Sequence, residues 1–112
     1  MDKIIAKIAS LGVPGLVLLI AINATGYAGA AAITAALSSI GPGGMIGGIA
    51  TLCVAVVIVD AISKFGFDVI YSGVIKELYK RGETKETILK KIEGYPISSD
   101  LKRKLKEVLD KL

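Results

Sequence analysis

Polar and apolar positions are segregated along this chain before they are interleaved. From residue 8 to residue 59 there is no Asp, Glu, Lys, Arg or His, and from Asp60 onward charges recur every few residues. The charge-free run is more than twice the roughly 20 residues needed to cross a bilayer. Near its middle Gly41, Pro42, Gly43 and Gly44 form a breaker cluster that a continuous helix would not carry. The pattern therefore predicts two apolar helical arms, about 11–37 and 45–62, folded back at a Gly/Pro turn over 38–44. Residues 2–10 place Ile4, Ile5 and Ile8 on one side and Lys3 and Lys7 on the other, a short amphipathic start suited to an interface.

Past Asp60 the spacing becomes amphipathic. Ile62, Phe65 and Val69, with Ile70, Val74 and Leu78 beside them, predict a helix over about 60–81 that Gly82 stops. Thr84 reads as the N-cap of a helix over 84–93, Gly94-Tyr95-Pro96 as a bend, and 98–100 as the cap of a last helix over 99–111. The expected fold is all-α: a two-helix transmembrane hairpin over 1–62, followed by amphipathic cytoplasmic helices in a charged tail over 63–112. Phe65, Phe67, Tyr71 and Tyr79 are placed to anchor the apolar arm at the interface.

Small residues mark where helices would meet. Gly26, Ala30, Thr34 and Ser38 recur every four residues, and Gly43/Gly47 and Gly44/Gly48 form overlapping G-x-x-x-G pairs. Such spacing leaves a flat face that lets another backbone approach closely. We take Gly26, Ala30, Thr34, Gly43, Gly44, Gly47 and Gly48 as candidate packing or oligomerisation positions, and Thr25, Ser38, Ser39 and Thr51 as candidate pore-lining hydroxyls. Asp60, Lys64 and Asp68 would form an interfacial ladder of opposite charges on a continuous helix. The alternative for each set is an ordinary Ala-rich helix, a permissive turn or a solvated ion pair.

Composition narrows the chemistry. The mean hydropathy is +0.64, and the net charge is +4 with no histidine and a single cysteine. Catalytic triads built on histidine, His-ligated metals, Cys metal sites and internal disulfides are excluded. Cys53 lies in an apolar run, which predicts a buried, inert thiol. No enzyme, cofactor or metal is expected. The basic excess is too dilute for nucleic acid and suits an anionic membrane surface better. Lys3 and Lys7 precede the first arm, every other basic residue follows the second, and the turn has none. Both termini are thus expected on the cytoplasmic side of an inner or plasma membrane. A basic start, an apolar stretch and Ala28-Gly29-Ala30 also imitate a secretory signal, but the apolar sequence runs on well past that point.

The segment TGYAGAAAITAALSSIGPGGMIGGIATL, positions 25–52, resembles the Gly/Ala-rich core of the interferon-inducible small hydrophobic membrane proteins. Gly26-Tyr27, and Gly43-Gly44 through Gly48-Ile49-Ala50, are the matching parts, and the basic tail lies outside the pattern. In layout the chain is also similar to two-span holins. Both resemblances imply a small membrane-acting protein without enzymatic activity. The expected function is self-assembly through small-residue faces in a lipid bilayer, giving a homo-oligomer that perturbs or permeabilises the membrane. The alternatives are a membrane anchor whose tail recruits a cytosolic protein partner, and a soluble homo-oligomer that buries its apolar helices between subunits.

Overall fold

The computed structural model describes residues 1–40 and 49–111, with residues 49–51 given only as part of a helix. The described residues form seven helices and no strand: α1 (Asp2–Ala9), α2 (Val13–Ala24), α3 (Gly29–Ile40), α4 (Ile49–Phe65), α5 (Phe67–Lys80), α6 (Lys85–Glu93) and α7 (Ser99–Leu109). The fold is all-α. Its radius of gyration, 12.5 Å, is that of a globular domain of this length, for which about 13 Å is usual.

At the centre lies α2. Its run VPGLVLLIAINA has no polar stripe, and Val13 and Gly15 through Ile22 are all buried. A helix apolar on every side is stable in water only if other elements cover it all round. Here each of the other six helices lies against α2. Amphipathic α1 supplies Ile5, Ile8 and Ala9, and α5 supplies Ile70, Val74, Ile75 and Leu78. The tail closes the remaining side with Ile88 and Ile92 from α6 and Leu101, Leu105 and Leu109 from α7. One hydrophobic core thus runs through both halves of the chain.

The first predicted arm is divided. Thr25 closes α2, its hydroxyl donating to the Ile22 carbonyl at 2.8 Å and accepting from the Tyr27 amide at 3.1 Å. Gly26 (φ +72°) and Gly29 (φ +61°) then take the left-handed backbone that turns the chain into α3. The predicted helix over 60–81 is likewise broken, at Gly66 (φ +86°), which separates α4 from α5. Among the described residues no helix is long and apolar enough to cross a membrane by itself. Asp2–Ala9 and Val13–Ala24 reach that test together but are bent by 109° at their break. Gly43, Gly44, Gly47 and Gly48, with most of the predicted turn, lie outside the described residues.

Local chemistry fixes the tail helices. Thr84 and Thr87 form a reciprocal cap at the start of α6, and the Ser98 hydroxyl accepts from the Leu101 amide at the start of α7. Lys106 pairs with Glu93, and Lys102 donates to the Glu93 carbonyl at 2.9 Å, tying α7 to the end of α6. Arg81 donates to the Ala9 carbonyl, which joins the end of α5 to the end of α1. Phe67 and Tyr71 stack with ring centroids 5.4 Å apart, while Phe65 and Tyr79 are exposed. Burial, and secondarily the charge of Tyr79, pushes the Tyr71 phenol up from its usual pKa.

The tightest approach is at the α1–α2 elbow, where a methyl on Gly15 would run into the Ile8 carbonyl oxygen. A methyl on Gly73 would instead meet the flexible end of Ile5, at 2.5 Å from Cδ1. Gly15→Ala should therefore lower stability more than Gly73→Ala. Leu19→Ala, at a fully buried position, should cost about 2–5 kcal/mol. Denaturant unfolding checks both, and equal effects of the two glycine variants would contradict the packing described.

Acid should loosen the cap. A hydrogen bond from Lys91, then one from Thr87, holds the Glu83 carboxyl below its ordinary pKa, and the hydrogen bond and charge of Lys106 do the same for Glu93. The folded protein binds these protons less tightly than the unfolded chain. The resulting stabilisation is complete above the ordinary value of 4.5 and is lost as pH falls through the depressed folded values. Thermal midpoints measured against pH should drop on that acid limb, and Glu93→Gln with Glu83→Gln should flatten it.

Candidate functional site: the uncharged face of α3 and α4

The charge-free run that does not enter the core forms a surface. On α3 only Ala32, Ala36 and Ile40 are buried, while Ala30, Ala31, Thr34, Ser38 and Ser39 face outward. On α4, Val54, Ala55, Ile58 and Ala61 point into the core, and Leu52, Cys53 and Val56 point away from it. A face this short of charge on an otherwise charged protein is the kind that marks contact with lipid or protein.

The candidate packing residues fall on it in part. Ala30, Thr34 and Ser38 share the outward side of α3, with the Thr34 hydroxyl donating to the Ala30 carbonyl at 3.1 Å. Ser39 makes the same kind of bond to Ala35 at 3.1 Å. Such bonds to the preceding turn satisfy the hydroxyls without a second partner, so the face stays smooth and locally self-contained. Gly26 is exposed in the α2–α3 turn and outside any helix, so it does not extend the Ala30–Thr34 row as a helical ridge would. Thr25 is half-buried beneath that turn, and Thr51 is described only as part of α4.

The ion ladder is reduced to one rung. Lys64 and Asp60 pair at 3.2 Å on exposed α4, a contact of roughly 0.3–0.5 kcal/mol. Asp68 opens α5 beyond the Gly66 break, and among the described residues Lys64 makes no pair with it. In the first turn of α5 that carboxylate instead faces the positive end of the helix dipole.

Sequence reasoning missed a cleft of about 710 Å³ between the α2–α3 turn and the last turns of α4. Ile22, Ile33, Val59 and Ile62 form its apolar lining, and Gly26 to Ala30 its side-chain-poor wall. Tyr27 and Val56, the two most exposed large apolar side chains among the described residues at 65% and 58%, both stand at its edge. Asn23, Asp60 and Ser63 are its polar side chains apart from the Tyr27 hydroxyl. The signal in the sequence was the pair Gly26 and Gly29 around Tyr27, which permits a turn as readily as a packing ridge.

Cys53 is exposed on this face, not buried as its apolar neighbours suggested. The reason is rotational: Val54 and Ala55 take the inward positions and turn residue 53 outward. Among the described residues no cluster of three or more His, Cys, Asp or Glu is placed to hold a metal ion. Comparison of the chain with protein-family models, curated proteins and solved structures found no match. What remains is a class defined by fold alone, an all-α bundle wound about one apolar helix with an uncharged outer face.

The orientation of α4 is checked through its thiol. The native protein should take up one equivalent of a maleimide without denaturant, whereas a thiol turned inward would react only on unfolding; mass spectrometry distinguishes the two.

Proposed function

We propose that the protein is a small, self-assembling membrane-active protein and that the bundle is the covered form of a segment able to enter lipid. The observation that supports this is α2, which is apolar on every side where a helix at a globular surface keeps a polar stripe. Four of the helices that cover it, α1, α5, α6 and α7, are amphipathic and lose little by transferring their apolar faces from α2 to an interface. In this reading the break between α2 and α3 around Gly26 and Gly29 straightens, the first arm becomes continuous over 11–37, and the arms enter the bilayer as a hairpin with both termini on the cytoplasmic side. Copies then meet along Ala30, Thr34 and the Gly-rich positions 43–48, because small residues allow close approach in lipid where burial of apolar surface gives no preference for protein. Thr25, Ser38, Ser39 and Thr51 would face the wet side of such an assembly. A single hairpin encloses nothing, so permeabilisation requires many copies.

A second reading is favoured by one observation: α2 is already covered within the chain, so lipid is not needed to hide it. Copies would then associate through the α3–α4 face alone, without entering a membrane.

Dye release from vesicles of mixed zwitterionic and anionic lipid separates the two. The first reading expects release that rises more steeply than protein concentration. Thr34→Leu should cut it at least about tenfold while changing the stability of the bundle, where Thr34 is exposed, by no more than about 0.5 kcal/mol. No release from the intact protein, or full release from the variant, would end it. A detergent-free particle of several copies that leaves vesicles intact would establish the second reading.

A further inference from the structure

We propose that the cleft beside Tyr27 binds a free single-chain alkylammonium amphiphile, its chain lying against Val56 and Val59 and its head at Asp60 and Ser63. This goes beyond membrane activity and does not depend on it. Three features of the cleft point to that chemistry. Val56, Val59 and Asp60, and Ser63 lie on successive turns of α4, so the cleft follows the helix for about 10 Å. Val56 and Val59 make its first part wholly apolar, and Asp60 and Ser63 join Ile62 in the second, so one end alone offers polar groups, as an amphiphile with one short chain would need.

Its charge has one sign. Among the described residues that line it, Asp60 is the only ionisable carboxylate or cation, so a cationic head is attracted and a carboxylate head is repelled. Lys64 holds Asp60 at 3.2 Å, but both side chains are more than half exposed, at 63% and 57%. An exposed pair of this kind is exchanged for another cation at little cost. The third feature is shape. Gly26 and Gly29 leave open space where side chains would stand, a Cβ at either meeting nothing within 4 Å. A volume of about 710 Å³ lies within the range of small-ligand sites.

Calorimetric titration of the intact chain with octylamine, octanol and octanoate, each below its aggregation concentration, tests the proposal. Octylamine should bind saturably at one per chain, with octanoate at least about tenfold weaker. Val56→Trp should abolish octylamine binding by filling the apolar end, Asp60→Asn should reduce its affinity to that of octanol, and Lys64→Ala should tighten it. These side chains are exposed, and circular dichroism of each variant confirms that the bundle is retained. Equal binding of octylamine and octanoate, absence of saturable octylamine binding, or octylamine binding unaffected by Val56→Trp would each overturn the proposal. So would sedimentation in which Val56→Trp dissolves a dimer of the unliganded protein, since a second copy would then occupy the cleft. Vesicle leakage reports separately: its loss with octylamine binding intact removes the membrane reading and leaves this one standing.

Discussion

The enclosure of α2 is the constraint on which the rest of the bundle depends. Leu16, Leu18, Leu19 and Ile20 point in different directions around that helix and all are buried, so no single neighbour could cover them. Each fully buried side chain of this size is stabilised by roughly 1.5–3 kcal/mol relative to exposure, and that gain is collected only when the ring of helices is complete. The two ends of the chain are consequently bound together: α1 and α7, far apart in sequence, serve the same helix. The tail is a wall of the core, and its capping and ion pairs matter because they hold that wall in place.

The same constraint explains why the elbow between α1 and α2 is so close. For α1 to fold back on the helix that follows it, the chain must reverse within residues 10–12, and Gly12 (φ +71°) with glycine at position 15 makes the approach possible. Pro14 sits in the first turn of α2, where its missing amide hydrogen leaves no partner unsatisfied. Straightened, these two helices would have the length and apolarity of a membrane span. Folded, they are two sides of one core. The proposed passage between water and lipid is therefore an exchange of cover for α2 with little new secondary structure.

What the core leaves outside is as informative as what it takes in. Apolar residues not needed around α2 gather on α3, α4 and the turn before α3, where Leu52, Val56 and Tyr27 are exposed. Charged residues are crowded instead onto α5, α6 and α7, whose outer faces they occupy at i, i+3 and i+4 spacings. The protein thus has two surfaces of different chemistry, and the cleft at Tyr27 lies on the uncharged one with Asp60 at its edge.

The helical class, the cap at Thr84, a cap within 98–100 and the amphipathic stripes of α6 and α7 were legible in the sequence, because capping and 3.6-residue periodicity are local properties of the chain; packing chose Ser98 among the three. The sequence also marked the charge-free run as a segment that water cannot cover. What covers α2 was not legible there, for an apolar helix has the same composition whether lipid, another copy or its own tail surrounds it; packing supplies the tail and α1. The breaks at Gly26, Gly29 and Gly66 were likewise undecided, since a glycine is tolerated within a helix and becomes a turn only when packing on both sides requires the chain to bend. The cleft and the outward turn of Cys53 follow from the rotation of α4 about its axis, which depends on which side chains the core accepts and is set by contacts from every other part of the chain.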